Sequence, residues 1–220
     1  MTQMAEWQLF RWAGFFGAAA LALTAWVMIE GTPLPGDVRL TRAVQSRESF
    51  EGAANLVNGL GSWSWVPFVA AGAVLLLAGR LRRFRWTAGH RHREALYTFI
   101  AALGLRFVDQ LLKAIVQAPR PVEEFGVRVD RLRDTHGFPS GHVYSDMLFF
   151  GTMAIFAGAY LPRRMVRPAQ ALLLGVILLA GPARVFAGAH WPSDVAGGYL
   201  WGAAALCLAA GYGRWAARVA

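Results

Sequence analysis

The sequence predicts an all-α integral membrane protein, a bundle of six transmembrane helices, and three observations carry that expectation. The chain is 56% hydrophobic over 220 residues, with a mean hydropathy of +0.38, which leaves too little polar surface for a soluble domain of this size. Its apolar residues gather in runs of roughly 20, the length that crosses the hydrocarbon core of a bilayer. Its charges, 22 Lys+Arg against 13 Asp+Glu, gather largely between those runs.

The runs fall at about 9–29, 62–79, 95–117, 141–161, 169–186 and 194–213. Their connections are short, with no internal repeat and no low-complexity linker, so one membrane-embedded domain over 1–220 is expected, and helices satisfy its backbone within lipid. The first run is read as a retained helix. From Trp12 to Ile29 it is too long for a signal-peptide core, and Val27-Met28-Ile29-Glu30 offers no small-x-small cleavage site.

The third run carries ionisable groups that are expensive in lipid and therefore functional or paired. Arg106, Asp109, Gln110 and Lys113 are spaced to share one face of a helix. Lys113 is the only lysine among the 22 basic residues. It could simply pair with Asp109 one turn earlier, but Arg120-Pro121 seven residues on points to a further role. The fourth run places Asp146 one turn after His142, where it either tunes that histidine or bonds to a neighbouring helix. Asp109 and Asp146 are thus candidate supporting residues. The last run holds the single cysteine, Cys207, read as a small apolar filler.

Arginine distribution orients the bundle. Arg11, six arginines between 80 and 93, Arg163, Arg164, Arg167, Arg214 and Arg218 put twelve on one side. Seven lie on the other: Arg39, Arg42, Arg47, Arg120, Arg128, Arg131 and Arg133. The positive-inside rule then predicts cytoplasmic termini, with 30–61, 118–140 and 187–193 outside. The net charge of +9 is accounted for by this pattern and by anionic headgroups, which argues against a nucleic-acid partner.

Three segments in or beside those outer stretches have the chemistry of a phosphate site: Lys113 with Arg120-Pro121; Pro139-Ser140-Gly141-His142; and Arg184 with Gly188, His190 and Asp194. Phosphoryl transfer is mostly positioning and charge stabilisation. Lys113, Arg120 and Arg184 supply three cations, and arginine forks match phosphate oxygens two at a time. Ser140 adds a hydroxyl and Gly141 a close backbone approach, at a helix start whose free N–H groups suit an anion.

His190 is the nucleophile candidate. Asp194, four residues on, would hold one tautomer and leave the other ring nitrogen to attack phosphorus. His142 would protonate the leaving oxygen and later take a proton from water. Two histidines and an aspartate could also hold zinc. However, there is no H-E-x-x-H or cysteine pair, and the adjacent cations would repel a divalent ion, so neither metal nor cofactor is expected. His90, His92 and His136 are read as solvated loop residues.

At these residues the chain resembles the membrane branch of the type-2 phosphatidic acid phosphatase superfamily. The pattern stands here as Lys113 through Arg120-Pro121, as Phe138-Pro139-Ser140-Gly141-His142, and as Arg184 through Gly188, His190 and Asp194. Ala183 stands where that family often has serine. The loop 122–137 has no meaning the resemblance assigns; it borders the site, screening headgroups or simply solvated. The resemblance implies a six-helix bundle and a metal-independent lipid phosphate phosphatase acting through a phosphohistidine. Undecaprenyl diphosphate, phosphatidylglycerol phosphate, phosphatidate and phosphorylated lipid A are the substrate types in view, in a bacterial plasma membrane. Two other readings use the same residues: a phosphotransferase that delivers the phosphate to another acceptor, and a non-catalytic lipid-phosphate binder or transporter.

Overall fold

A computed structural model describes residues 5–61, 89–130 and 136–220. Their regular structure is helical: α1 (Glu6–Glu30), α2 (Asp37–Gln45), α3 (Glu51–Gly61), α4 (Gly89–Leu105), α5 (Val108–Val116), α6 (Gly141–Tyr160), α7 (Arg163–Phe186) and α8 (Pro192–Val219), with single 3₁₀ turns at Glu48–Phe50 and Glu123–Phe125. Among the described residues α1, α6, α7 and α8 are long and apolar enough to cross a membrane. The chain is an integral membrane protein. The second sequence-predicted span, 62–79, lies outside the described residues.

Helix α8 runs through the middle, packed by α1, α4 and α6. Its inward positions are small, among them Gly198, Gly202, Ala205, Ala209 and Gly213. A side-chain carbon placed on Gly213 would come 2.8 Å from the Glu94 carbonyl oxygen, so α4 and α8 meet almost backbone to backbone. Helices in lipid associate through such close approach, because lipid tails are as apolar as the side chains themselves. Conversely, Trp12, Phe15, Leu21, Trp26 and Ile29 of α1 are exposed, which suits a helix with one face on α8 and the rest against acyl chains.

The third predicted span, 95–117, is not one helix. It breaks at Arg106 and Phe107, between α4 and α5, without a proline. The Tyr144 hydroxyl donates to the Leu105 carbonyl at 2.6 Å, so a side chain from α6 enters the hydrogen-bond ladder where it opens. The break changes the predicted shared face. Arg106 and Lys113 both reach Asp109, but Gln110 points away and is exposed. The stretch 30–61, expected as an outer connection, is mostly helical: α2 and α3 pack beside α7.

Candidate active site

The site is assembled where the C-terminal ends of α5 and α7 meet the N-terminal ends of α6 and α8. Helix α8 starts with Pro192 at its first position, where a missing N–H is harmless. Asp194, two residues in, turns back and accepts the Trp191 N–H at 3.0 Å. The same oxygen, Oδ2, faces His190 Nδ1 at 3.4 Å. Local helix-start chemistry therefore places the carboxylate beside the imidazole. The other face of the ring, Nε2, lies 3.3 Å from Arg120 Nη1, and Arg120 also donates to the Ala189 carbonyl.

His190 is 1% exposed and Asp194 0%. Burial, then the charges of Arg120, Arg184, Lys113 and His142, push the His190 pKa well below the ordinary histidine range. Burial and these charges favour the neutral ring, which has a single proton to place. Those four groups come from three separate segments, and each is near enough for its charge to bear on His190. The two imidazoles thus belong to one cluster.

The remaining sequence-predicted residues fall around this ring. Lys113, on the last turn of α5, holds Asp109 Oδ2 at 3.4 Å, and Arg106 holds Oδ1 of the same carboxylate at 3.0 Å. The pairing considered for Lys113 is real and coexists with its place near His190. Gly141 starts α6 directly against that pair. A side-chain carbon there would lie 2.7 Å from Lys113 Nζ and in collision with the Asp109 carboxylate, so glycine lets the α6 terminus approach the pair without displacing either side chain. Ser140 is fully buried, its N–H bonded to the Asp194 carbonyl at 2.9 Å, and its hydroxyl makes no hydrogen bond among the described residues. Asp146 is buried on α6, within electrostatic reach of Arg184 and Arg106.

Arg184 depends on a repaired break. Pro182 inside α7 removes an N–H and crowds the carbonyl one turn back. The Tyr199 hydroxyl fills that gap: it accepts the Gly181 N–H at 3.0 Å and points its proton at the Ile177 and Leu178 carbonyls, each 2.9 Å away. Two residues beyond the proline, Arg184 extends to Asn58 Oδ1 at 3.3 Å and toward Asp130 Oδ2 at 3.8 Å. Gly188 follows at φ +71°. A side chain there would strike the Arg128 carbonyl, and its own carbonyl accepts the Asp130 N–H at 3.2 Å.

Several residues that fix the site carry little sequence signal of their own. Asp37 accepts the Ser193 N–H at 2.9 Å, the Ser193 hydroxyl at 2.6 Å and the Leu34 N–H at 2.8 Å, tying the α1–α2 turn to the residue before Asp194. Gln45 exchanges bonds with the Arg128 backbone at 2.7 and 3.0 Å and reaches the Val185 carbonyl at 3.2 Å. Arg42 donates to the Phe125 carbonyl, and Phe125 meets the buried Trp191 ring edge-on at 5.6 Å. The stretch 122–130 of this loop is therefore held against the site and not merely solvated. Only its Pro-Gly-Asp lead-in, a turn and helix-start pattern, marked Asp37. Elsewhere, His92 is not simply solvated: its Nδ1 lies 3.1 Å from the Tyr160 hydroxyl. His90 and His136 are exposed and Cys207 is half-buried.

The arrangement offers a neutral imidazole with one ring nitrogen on a carboxylate and the other toward cations. Among the described residues, no three side chains of the usual metal-ligating types converge. The PAP2 superfamily model matches residues 93–218, which include all three segments. The fold is similar to the crystal structure of the first transmembrane PAP2 type phosphatidylglycerolphosphate phosphatase from Bacillus subtilis, at 18% identity and a TM-score of 0.71 over 90% of this chain and 94% of that one. It is also similar to Aquifex aeolicus LpxE, at 23% identity and a TM-score of 0.53 over 79% of this chain and 93% of that one. These likenesses are of fold. No curated protein sequence matches the chain.

Proposed function

We propose, on the premise that this chain belongs to the PAP2 superfamily, that it is a metal-independent phosphatase removing a terminal phosphate or diphosphate phosphoryl group from a membrane lipid through a phosphohistidine. The observation that carries this reading is His190: buried, neutral, its Nδ1 toward Asp194 and its Nε2 toward Arg120. With the proton kept on Nδ1, the Nε2 lone pair attacks phosphorus as the bond to the lipid oxygen breaks. Arg120 moves from the ring to the phosphate oxygens, which Lys113 and Arg184 also bind along with Ser140 and the Gly141 N–H. His142, protonated, gives its proton to the leaving oxygen. It then takes one from the water that cleaves the N–P bond, releasing phosphate and restoring His190. Asp194 offsets the positive charge that develops on the imidazole, while Asp109 and Asp146 position their cationic neighbours.

In this reading the whole chain, 1–220, is one domain of six spans, with 62–79 as the second and 95–117 as a broken third. The termini are cytoplasmic, and the site opens on the extracytoplasmic face of a bacterial plasma membrane, where the lipid tail stays in the bilayer. A phosphate-release panel with purified protein tests it, using undecaprenyl diphosphate, phosphatidylglycerol phosphate, phosphatidate and phosphorylated lipid A. At least one lipid should yield free phosphate that vanadate suppresses, EDTA leaves intact and His190→Ala abolishes. Near-normal turnover by His190→Ala rules out the nucleophile. Label found only in a second acceptor makes the protein a phosphotransferase.

A further inference from the structure

A well-defined cavity lies away from the candidate active site. It has a volume of about 420 Å³ and lies where the start of α1, the start of α4 and the end of α8 meet, lined by Trp7, His90, Arg91, Arg214 and Arg218 together with Glu6 and Glu94. Twenty residues of α8 separate Arg214 from Asp194, about 30 Å at 1.5 Å per residue. That is the thickness of the hydrocarbon core, so the cavity sits at the opposite membrane surface, on the arginine-rich face.

We infer that this cavity binds the phosphate of an anionic phospholipid headgroup. The charge balance favours an anion: three arginines face two carboxylates. Glu94 is 3% exposed and takes only one edge of Arg214, at Nε, 2.9 Å away. Glu6 is taken by Arg218 at 2.7 Å. Arg214 Nη1 and Arg91 Nε are buried donors with no acceptor among the described residues. Leaving a charged donor buried and unmatched is unfavourable, and a phosphate offers several oxygens in the geometry a guanidinium prefers.

Depth chooses the carrier. Trp7, Trp12, Tyr212 and Trp215 are all exposed at this end, forming the aromatic girdle typical of a membrane–water boundary. Arg11 lies over the Trp7 ring at 5.3 Å. Lipid phosphates are concentrated at that level. The volume is far larger than a single phosphate needs, and it accommodates the glycerol side of a headgroup. This binding is independent of the chemistry proposed above and rests on different residues.

The test is a titration of full-length protein in a neutral maltoside detergent, read by native mass spectrometry and by thermal midpoint. Dihexanoyl phosphatidylglycerol and inorganic phosphate serve as probes. The lipid should bind saturably and raise the midpoint. Arg91→Gln and Arg214→Gln should each weaken it at least about tenfold, the loss expected for a hydrogen bond to a charged group. Arg93→Gln, an exposed arginine next to the cavity but not lining it, should bind normally. Arg214→Gln frees buried Glu94 and could unfold the protein. Arg91, which makes no hydrogen bond or ion pair within the described structure, then carries the result. Equal weakening by Arg93→Gln reduces the effect to general surface charge and overturns the site. Equal binding of inorganic phosphate overturns the lipid assignment, and no difference between wild type and Arg91→Gln overturns the inference entirely.

Discussion

Replacing Asp194 with Asn isolates the part played by one negative charge in the proposed reaction. In the structure, Asp194 Oδ2 faces His190 Nδ1 at 3.4 Å and accepts the Trp191 N–H at 3.0 Å, and both residues are almost completely buried. An Asn carbonyl can keep both contacts, so the helix start and the tautomer survive. What disappears is the charge opposite an imidazole that becomes positive as the N–P bond forms. With an effective dielectric constant of about 20, unit charges at that distance interact by about 5 kcal/mol. If half the charge has developed at the transition state, the loss is about 2.4 kcal/mol. The expected fall in turnover is therefore about 60-fold to about 4,000-fold at 1.36 kcal/mol per decade. The assay is phosphate release from the best lipid of the panel under saturating substrate, with thermal midpoint as the folding control. A well-folded Asp194→Asn protein turning over within about threefold of wild type, a difference of under 1 kcal/mol in the barrier, refutes the electrostatic role.

Three other outcomes follow from the same geometry. His190 has a pKa well below that of an unfolded histidine, so the unfolded chain binds the extra proton first. Stability should fall as pH drops below about 6.5, by up to about 1.4 kcal/mol per unit. His190→Gln should flatten that slope in a melting series, and an unchanged slope counts against burial of a neutral ring. Gly141→Ala should drive a methyl group into the Lys113–Asp109 pair, lowering stability by about 1–3 kcal/mol and kcat/KM with it; a variant normal in both would show that the approach is not needed. Tyr199→Phe strips the hydroxyl from the Gly181, Ile177 and Leu178 backbone groups. It should lower the free energy of unfolding by about 1–3 kcal/mol and reduce activity through Arg184, and a midpoint equal to wild type argues that the α7 break tolerates open backbone groups.

The three segments were legible because their spacing is short-range. Seven residues bring Arg120 just past the helix that carries Lys113, and four bring Asp194 to His190. Composition likewise gave away the long helices. What could not be read was held by single polar residues acting over great sequence distance. Asp37 reaches Ser193 across 156 positions, and Gln45 reaches Val185 across 140. One aspartate or glutamine in a helical stretch is indistinguishable from surface until the chain is folded. The break within 95–117 was equally silent, since no proline marks it and its stabilising hydroxyl, on Tyr144, comes from another helix. The role of 122–130 emerged largely through backbone groups, those of Phe125 and Arg128, of a kind that every residue possesses.

The proline of α7 and the tyrosine of α8 form a lock whose two halves have no separate value. A tyrosine hydroxyl is useful at that depth only while a ring at position 182 keeps two carbonyls and an amide apart; once an ordinary residue closes the spiral, the hydroxyl becomes an intruder. Evolution should therefore exchange the two positions in concert: relatives that drop the imino acid should tend to carry phenylalanine in place of Tyr199, and a Pro182→Ala/Tyr199→Phe double substitution should be milder than its two parents combined.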